Sequence, residues 1–306
     1  MGFSAYHRRA AGGALAAAAL LGCRARAAAP PEGELAAYEL AGAPDWRAAL
    51  PDELGEISGL AVTPDGRLFA HGDEEGTVLQ VDPRSGRILK RFALAPTGQE
   101  PDLGKKAKGN RVAGDFEGIA IAGERFFLVT SNGVLIEFQE GADGARVPYT
   151  AHETALGERC EVEGVSHDPA AEALLMLCKE IRPKAERDRV EIHAWSLRER
   201  RLEASPRVAI AYSALAPATG AREFNGSGFT FTPSGQELLL VAGPQQLFAE
   251  ITLDGRVVSG GSLERSAHPQ PEGTAFLPDS TLLVSSEGGR GKASLSGYLH
   301  RSGGAR

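Results

Sequence analysis

The sequence DFEGIAI (residues 115–121) is the clearest copy of a motif that occurs five times in this chain. The other copies read EISG (56–59), EVEG (161–164), NGSG (225–228) and QPEG (270–273). An apolar or alternating run follows each copy and predicts a β-strand. After three of the copies, a turn such as PDG (64–66) and a second strand candidate come next. Each motif therefore begins a predicted hairpin.

The spacing of the motif indicates how these hairpins assemble. Successive motif glycines lie 59, 46, 64 and 45 residues apart. Repeats of about 40 to 50 residues, each with four short strands, are typical of β-propeller blades. We therefore predict an all-β fold, a five-bladed β-propeller. Six blades are the alternative, because the interval of 64 residues is long enough to contain a degenerate blade.

The last repeat is one strand short of a blade. It contains three strand candidates, at 274–277, 281–285 and 295–299. A sheet edge stays open unless another strand pairs with it, so we predict that residues 35–40 supply the strand that closes the ring. Blade two has a weak fourth strand candidate at 147–149, and no sustained helical period occurs after the N-terminal segment.

The N-terminal residues resemble a bacterial export signal. Basic HRR (7–9) precedes an apolar run at 10–21 that is too short for a permanent membrane span. The run ends in LLGC (20–23), which resembles a lipobox and predicts lipidation of Cys23. An ordinary signal cleaved after AAA (27–29) is the alternative. The predicted organisation is a signal at 1–23, a linker at 24–34 and one propeller domain at 35–302. We expect the protein in the periplasm or outer cell envelope, held at a membrane only by its lipid.

The net charge and the cysteine content limit which ligands and partners the protein is expected to bind. The net charge of −7 and the pI near 5.6 argue against nucleic-acid binding. Cys160 and Cys178 flank the third predicted hairpin, so in an oxidising compartment we predict a disulfide, with two buried free thiols as the alternative. No further cysteine completes a metal site. We expect a monomer that binds an unknown small ligand or an envelope protein.

Residues 95–114 separate blades one and two and are rich in Gly, Lys and Pro. They include KKAK (105–108). Two interpretations stay open: a solvated insertion, or an anion-binding lip over the ring.

The acidic positions of the motif predict a site at one mouth of the channel. The first strand of each blade lines a propeller channel, and two sets of loops converge at the same mouth. The entering loops carry Glu56, Asp115, Glu117, Glu161, Glu163, Asn225 and Glu272, and the loops after the second strands carry Asp73, Glu74, Asn132, Glu180 and Glu287. Carboxylates gathered around one axis repel each other and have raised pKa values unless a cation or basic side chains offset them.

Calcium fits this site best, because it accepts several oxygen ligands in irregular geometry, whereas magnesium requires a tighter octahedron. The histidines are too scattered for a zinc site. The predicted ligands are Glu56, Asp115, Glu117, Glu161, Glu163 and Glu272. Alternatively, motif residues bond to the neighbouring blade and hold the ring together, a role that suits Ser58 and Ser227.

The acidic motif, the PDG turn (64–66) and the export signal together resemble the SdiA-regulated family of bacterial five-bladed β-propellers, which is distantly similar to NHL-repeat propellers. The resemblance covers residues 35–300 and rests on short motifs. It implies a five-bladed ring and a calcium site, and it implies no known activity. The sequence departs from the acidic pattern at NGS (225–227) and at Gln270, which puts a ligand role for the fourth copy in doubt.

Two classes of function fit these features. The first is a non-catalytic, calcium-stabilised binding module of the cell envelope, which is consistent with the lack of a Gly-x-Ser-x-Gly motif. The alternative is a calcium-dependent hydrolase of esters, lactones or phosphoesters, in which the cation polarises the scissile group. In that case His268 or His71 is the candidate general base. Arg111, Lys179 or Arg222 would then provide a basic wall.

Overall fold

The structure is a computed structural model that describes residues 1–2, 33–106, 109–288 and 291–301. Residues 32–306 form one compact unit, which contains every helix and strand reported below. The predicted export signal, including Cys23, lies outside the described residues. Among the described residues, no helix is both long and apolar enough to cross a membrane.

Five β-sheets form the blades of a propeller, which confirms the predicted fold and excludes the six-bladed alternative. Blade one consists of β2 (Ile57–Val62), β3 (Leu68–Gly72), β4 (Thr77–Val81) and β5 (Ile88–Leu94). Blade two consists of β6 (Phe116–Ala122), β7 (Arg125–Thr130), β8 (Val134–Gln139) and β10 (Tyr149–Glu153). Blade three consists of β11 (Cys160–Asp168), β12 (Ala173–Ile181) and β13 (Arg189–Ser196), with β14 (Arg201–Leu202) and β15 (Val208–Ala211) both paired to β13.

Blade four consists of β16 (Gly228–Phe231), β17 (Glu237–Ala242), β18 (Leu247–Thr252) and β19 (Val257–Ser262). Blade five consists of β20 (Gln270–Phe276), β21 (Leu282–Glu287), β22 (Ser294–Tyr298) and β1 (Trp46–Ala49). The first strands contact one another in the order β2, β6, β11, β16 and β20, and β20 returns to β2. Short 3-10 helices occupy Glu34–Ala37, Asp52–Leu54, Leu156–Glu158 and Lys184–Glu186.

The ring is closed by an N-terminal strand, as predicted, but by a later one. Strand β1 pairs antiparallel with β22, with Arg47 opposite Ser296. The assignment of this strand to residues 35–40 is wrong, because Leu35 and Tyr38 are instead buried against blades four and five. The Glu250 side chain also holds that segment there, because its carboxylate accepts the Leu35 backbone N–H at 2.9 Å. The segment therefore binds to the blades without pairing to a sheet edge.

Blade two differs from the prediction at its fourth strand. Residues Arg146–Val147 form β9, which pairs in parallel with β5 of blade one. Val147 is buried there among the apolar residues shared by blades one and two. The chain therefore crosses to blade one before it returns as β10 to complete blade two.

The hydrophobic core is divided into five clusters, each between two adjacent blades. The cluster between blades one and two contains Phe69 and Phe126, whose rings meet edge to face at 5.0 Å between centroids. One α-helix, α1 (Tyr212–Thr219), follows β15 and packs its Leu215 into the cluster between blades three and four. The sequence shows no sustained helical period here, because a helix of eight residues is too short to show one.

Candidate functional site

The motif glycines lie where the first strands of neighbouring blades approach each other most closely. A Cβ added to Gly118 would be 2.7 Å from the Val165 backbone nitrogen, and one added to Gly228 would be 2.0 Å from the Glu272 carbonyl oxygen. The other three motif glycines, Gly59, Gly164 and Gly273, likewise face the first strand of the next blade. At four of the motif glycines, close contact around the channel leaves no room for a side chain. Gly164 is the exception, because a Cβ there would lie no closer than 3.4 Å to the Phe229 ring, which is an ordinary contact.

The residue before each glycine occupies an equivalent position around the axis. These residues, here called the inner ring, are Ser58, Glu117, Glu163, Ser227 and Glu272. The residues two positions earlier, here called the outer ring, are Glu56, Asp115, Glu161, Asn225 and Gln270. The ladder register shifts at the motif in four of the five blades, which indicates β-bulges. Bulges redirect side chains and are frequent beside functional sites.

The inner-ring glutamates are poorly solvated and repel each other. Burial, and then the charge of Asp115, raises the pKa of Glu117 to about 7. Burial, and then the charge of Glu287, raises the pKa of Glu272 to about 8. Burial and the charge of Glu117 also raise the pKa of Glu163, which is only 4 % exposed. At neutral pH the inner ring therefore retains protons that ordinary glutamates would lose.

Lys179 is the basic side chain that reaches this cluster. Its ammonium donates to the Glu163 carboxylate at 2.8 Å. Burial alone would lower the pKa of Lys179, but the nearby glutamates Glu163, Glu161 and Glu272 outweigh burial and raise it. One ammonium thus offsets only part of the negative charge that three inner-ring glutamates and Glu161 would carry.

The predicted disulfide is confirmed and lies beside this pair. Cys160 at the start of β11 is bonded to Cys178 on β12, with their Cα atoms 5.6 Å apart. Glu161 and Glu163 follow Cys160 on one strand, and Lys179 follows Cys178 on the other. The covalent bond therefore fixes the strand that carries the carboxylates to the strand that carries the ammonium.

A second lysine serves the outer ring. Lys105 forms ion pairs with Asp73 at 2.6 Å and with Asp115 at 3.2 Å. Burial lowers the pKa of Lys105, but hydrogen bonds to these two aspartates outweigh it and raise the pKa. The described residues of 95–114 are mostly exposed, as a solvated insertion predicts, but Leu103 and Val112 anchor the segment in the core. Lys105 faces acidic residues of the mouth and is not part of an anion-binding lip.

The other loop residues divide into those that reach the mouth and those that do not. The charge of Asp73 is the largest cause of the raised pKa of Glu56, and burial, followed by Asp73 and Glu56, raises the pKa of Glu287. Gln270 donates to Glu287 at 2.6 Å. Asn132 instead bonds to the insertion, donating to the Asp102 carbonyl oxygen at 2.8 Å. Glu180 is exposed.

Ser227 joins two blades. Its hydroxyl donates to the Pro271 carbonyl oxygen of blade five at 2.7 Å and accepts the Gly243 N–H at 2.9 Å. The hydroxyl of Ser58 donates to the Glu56 carbonyl oxygen at 3.4 Å. The inner ring therefore combines a blade-joining serine with carboxylates that have no such bond to a neighbouring blade among the described residues.

The two candidate histidines are buried. His268 has 0 % exposure, and its Nε2 lies 2.7 Å from the Tyr298 hydroxyl in blade five. Burial lowers the pKa of His268, and likewise that of His71, to about 4. His71 packs behind Gly59, and its Nδ1 lies 2.9 Å from the Gly72 carbonyl oxygen. Among the described residues, neither histidine is bonded to a ring carboxylate.

The carboxylate oxygens at the mouth suit a hard cation, but they do not form a complete metal-binding site. Within the described ranges, no three His, Cys, Asp or Glu side chains converge closely enough to hold a metal ion. Glu163 is bonded to Lys179, and Asp115 is bonded to Lys105 and to the Ser131 hydroxyl. A cation would therefore compete with these internal bonds.

The sequence matches no family model and no curated protein. Among solved structures, the chain is similar to Myxococcus xanthus glutaminyl cyclase (12 % identity, TM-score 0.55), with 83 % of this chain and 94 % of that chain covered. It is also similar to PQQ-bound aldose sugar dehydrogenase from Streptomyces coelicolor (13 % identity, TM-score 0.52), with 84 % and 99 % covered. A third is a luciferin-regenerating enzyme (11 % identity, TM-score 0.50), with 83 % and 95 % covered. Similarity at such identities concerns the fold alone. It shows that this chain is a five-bladed β-propeller, while the resemblance to the SdiA-regulated family stays a prediction.

Proposed function

We propose that the protein is an exported calcium-binding β-propeller that acts as a ligand- or protein-binding module of the cell envelope. The observation that carries this proposal is the inner ring, where Glu163 is buried and Glu117 and Glu272 are half-buried around one axis. Among the described residues, the ammonium that bonds to this cluster is that of Lys179. These glutamates come from three different blades, so an ion that binds them joins blades two, three and five.

The charge balance favours a divalent cation. The raised pKa values of the inner-ring glutamates reflect a free-energy cost of holding several carboxylates together where contact with water is reduced. A divalent cation removes that cost, because it replaces bound protons and takes over the role of Lys179. Calcium accepts about six to eight oxygen ligands at irregular angles, so Glu117, Glu163 and Glu272 would hold it with carbonyl oxygens or water completing the shell.

The other predicted ligands take a smaller part in this proposal. Asp115 is already neutralised by Lys105, and Glu56 is exposed to solvent. Glu161 lies close enough to influence the pKa of both Glu163 and Lys179, so it is the best candidate for a fourth carboxylate.

Thermal melting of the purified protein tests the calcium site. The protein is treated with a chelator and then titrated with calcium or magnesium. Calcium at about one hundred times its dissociation constant stabilises a fold by about 2.7 kcal/mol, which raises the melting temperature of a domain of this size by about 5 to 10 °C. We expect this rise with calcium and a much smaller one with magnesium.

A pair of matched variants assigns the effect to the inner ring. Glu272→Gln removes one inner-ring carboxylate and should abolish most of the calcium response. Glu250→Gln is the control, because Glu250 of blade four likewise has its pKa raised, to about 7 and mainly by burial. Unlike Glu272, it bonds the Leu35 N–H and the Ser259 hydroxyl away from the inner ring. An equal calcium response in both variants would place the ion elsewhere.

Export and lipidation at Cys23 are part of the same proposal. The Cys160–Cys178 disulfide supports an oxidising compartment, since such bonds are rare in proteins kept in the reducing cytosol. Mass spectrometry of the mature N-terminus tests both steps. A diacylglyceryl group on Cys23 is expected, and a free N-terminus after residue 29 would instead indicate an ordinary signal.

Calcium-dependent hydrolysis of esters, lactones or phosphoesters is the second candidate. It is supported by Glu117, Glu163 and Glu272, which would hold the cation that polarises the scissile group. His268 is poorly suited as the general base, because its ring is buried against Tyr298. Screening of these three substrate classes with calcium present tests the candidate, and Glu117→Gln should abolish any turnover found.

A further inference from the structure

A cavity of about 730 Å³ opens beside the acidic mouth, over blade one and its contact with blade two. This volume is in the range of small-molecule sites. Its apolar lining includes Leu79 of β4 and Phe92 and Leu94 of β5. Gly76 also lines it and packs closely on Leu94, because a Cβ there would lie 2.7 Å from that side chain. The cavity is lined by the acidic loops of the mouth and by arginines farther out along the blade.

Most of the charges in this cavity cancel within the protein. Arg91 pairs with Glu53 at 3.2 Å, and Arg111 pairs with Glu75. Asp73 pairs with Lys105. These pairs leave the floor and middle of the cavity with little net charge.

The charges that do not cancel are separated by sign. Within the described part of the chain, Asp52, Glu56 and Glu74 line the cavity without an ion pair. Arg146 lines it without a carboxylate partner in the same ranges, and its guanidinium donates only to the Asn110 carbonyl oxygen at 2.7 Å. The cavity thus has unneutralised carboxylates and one unneutralised guanidinium.

The topology of blade one sets the distance between these charges. Glu74 follows β3, the second strand from the axis, whereas Arg146 lies on β9 at the outer edge of the same sheet. Three strand spacings of about 4.8 Å separate these two strands, which makes about 14 Å across the sheet. An extended peptide of about four residues has its terminal charges at this separation.

We infer that this cavity binds the free termini of a short peptide, with the ammonium at Glu56 and Glu74 and the carboxylate at Arg146. The inference rests on the proposed function only in treating the propeller as a binding module, and it names the ligand class of that module. A guanidinium holds a carboxylate through two parallel hydrogen bonds, so Arg146 provides both charge and orientation. The chain crosses to blade one as β9 and so places Arg146 there. In this inference the crossing serves ligand binding.

Isothermal titration calorimetry on the full chain tests the inference at low ionic strength. The probes are tetra-alanine, its N-acetylated form and its C-terminal amide. We expect saturable binding of free tetra-alanine and at least a tenfold weaker affinity after either end is blocked, because each block removes one charge-assisted contact. Equal affinity for the three peptides, or no saturable heat with the free one, would overturn the inference.

Two variants test separately how the cavity binds the amino end and the carboxyl end of the peptide. In Arg146→Gln the acid and the amide should bind alike, while acetylation should still weaken binding. In Glu74→Gln the acetylated and free forms should become more similar. Arg198→Gln is the control, because Arg198 lies exposed in a different groove with Arg125 and His167, and it should retain both preferences.

The experiments can overturn the calcium site and the peptide site independently of each other. Peptide preference that persists in chelator and in Glu272→Gln supports the cavity without the calcium site. A calcium-dependent rise in melting temperature without peptide binding overturns the cavity and leaves the calcium site standing.

Discussion

The two lysine-containing parts of the mouth offset acidic residues in different ways. Lys105 binds Asp73 and Asp115 at the partly exposed outer ring, where water also screens the charges. Lys179 binds Glu163 within the inner ring, where the carboxylate is almost fully buried. The comparison teaches that burial, more than the number of acidic residues, determines where a propeller mouth requires a cation.

Replacement of Lys179 should give the largest effect. Lys179→Met leaves Glu163 buried without its ammonium, and loss of one partner from a buried pair costs about 3 kcal/mol or more in unfolding free energy. Urea denaturation in chelator at about pH 8 measures the loss. Near pH 5.5 the loss should shrink, because the glutamates then take up protons. Calcium should restore part of it, and a loss independent of pH would contradict the charge argument.

The pH dependence of the wild type should be the next largest effect. The pKa of Glu272 is about 8 in the folded protein against 4.5 in its ordinary state, so between these values the folded state binds more protons than the unfolded chain. This stabilisation is complete below about pH 4.5 and is lost as pH rises through about 8. His71 and His268, whose pKa values are lowered to about 4, contribute an opposite slope only below about pH 6.5.

Melting in chelator from about pH 6.5 to pH 8.5 therefore isolates the carboxylates. We expect the melting temperature to fall across this window, and Glu272→Gln should flatten the fall. Added calcium should also flatten it, since a bound ion stabilises the ionised carboxylates. A melting temperature that rises across the window would show that the inner ring is better solvated than its burial indicates.

Replacement of Lys105 should give the smallest effect. Lys105→Met breaks two ion pairs at a partly exposed site, and such pairs contribute about 0 to 1 kcal/mol. The same urea experiment measures it, and about 0.15 M salt should reduce the difference further. A loss as large as that of Lys179→Met would remove the distinction between the two rings.

The fold was predictable because the motif glycine has the same physical cause in four of the five blades. Close approach of first strands at the axis permits no side chain at Gly118 or Gly228, so the period of the blades is visible in the sequence. The closing strand was not predictable in position, because β1 is short and its partner β22 lies at the far end of the chain. The apolar residues at 35–40 suggested a strand. In the structure, Leu35 and Tyr38 are buried because they pack against blades four and five.

The acidic side of the candidate site was also predictable, whereas its basic side was predictable only in part. Lys179 was a candidate for a basic wall, but its ion pair with Glu163 and the ion pairs of Lys105 were not predicted. Glu117, Glu163 and Glu272 share one place in the motif, so their gathering follows from the ring. Lys105 and Lys179 do not belong to the repeated motif. The ion pairs of Lys105 depend on the fold of the insertion, and that of Lys179 depends on the second strand of blade three. The adjacency of Lys179 to Cys178, which the disulfide holds beside Glu163, was the one signal available.

Ring closure by β1 has a consequence for the order of folding. Trp46 pairs with Gly297, so the first strand to be synthesised must wait for the last one before its edge is covered. Contacts this distant in sequence form slowly, because the entropy of closing the loop is lost before the contact stabilises anything. During synthesis the nascent chain therefore has five blades to assemble while β1 remains open to proteases and to other strand edges.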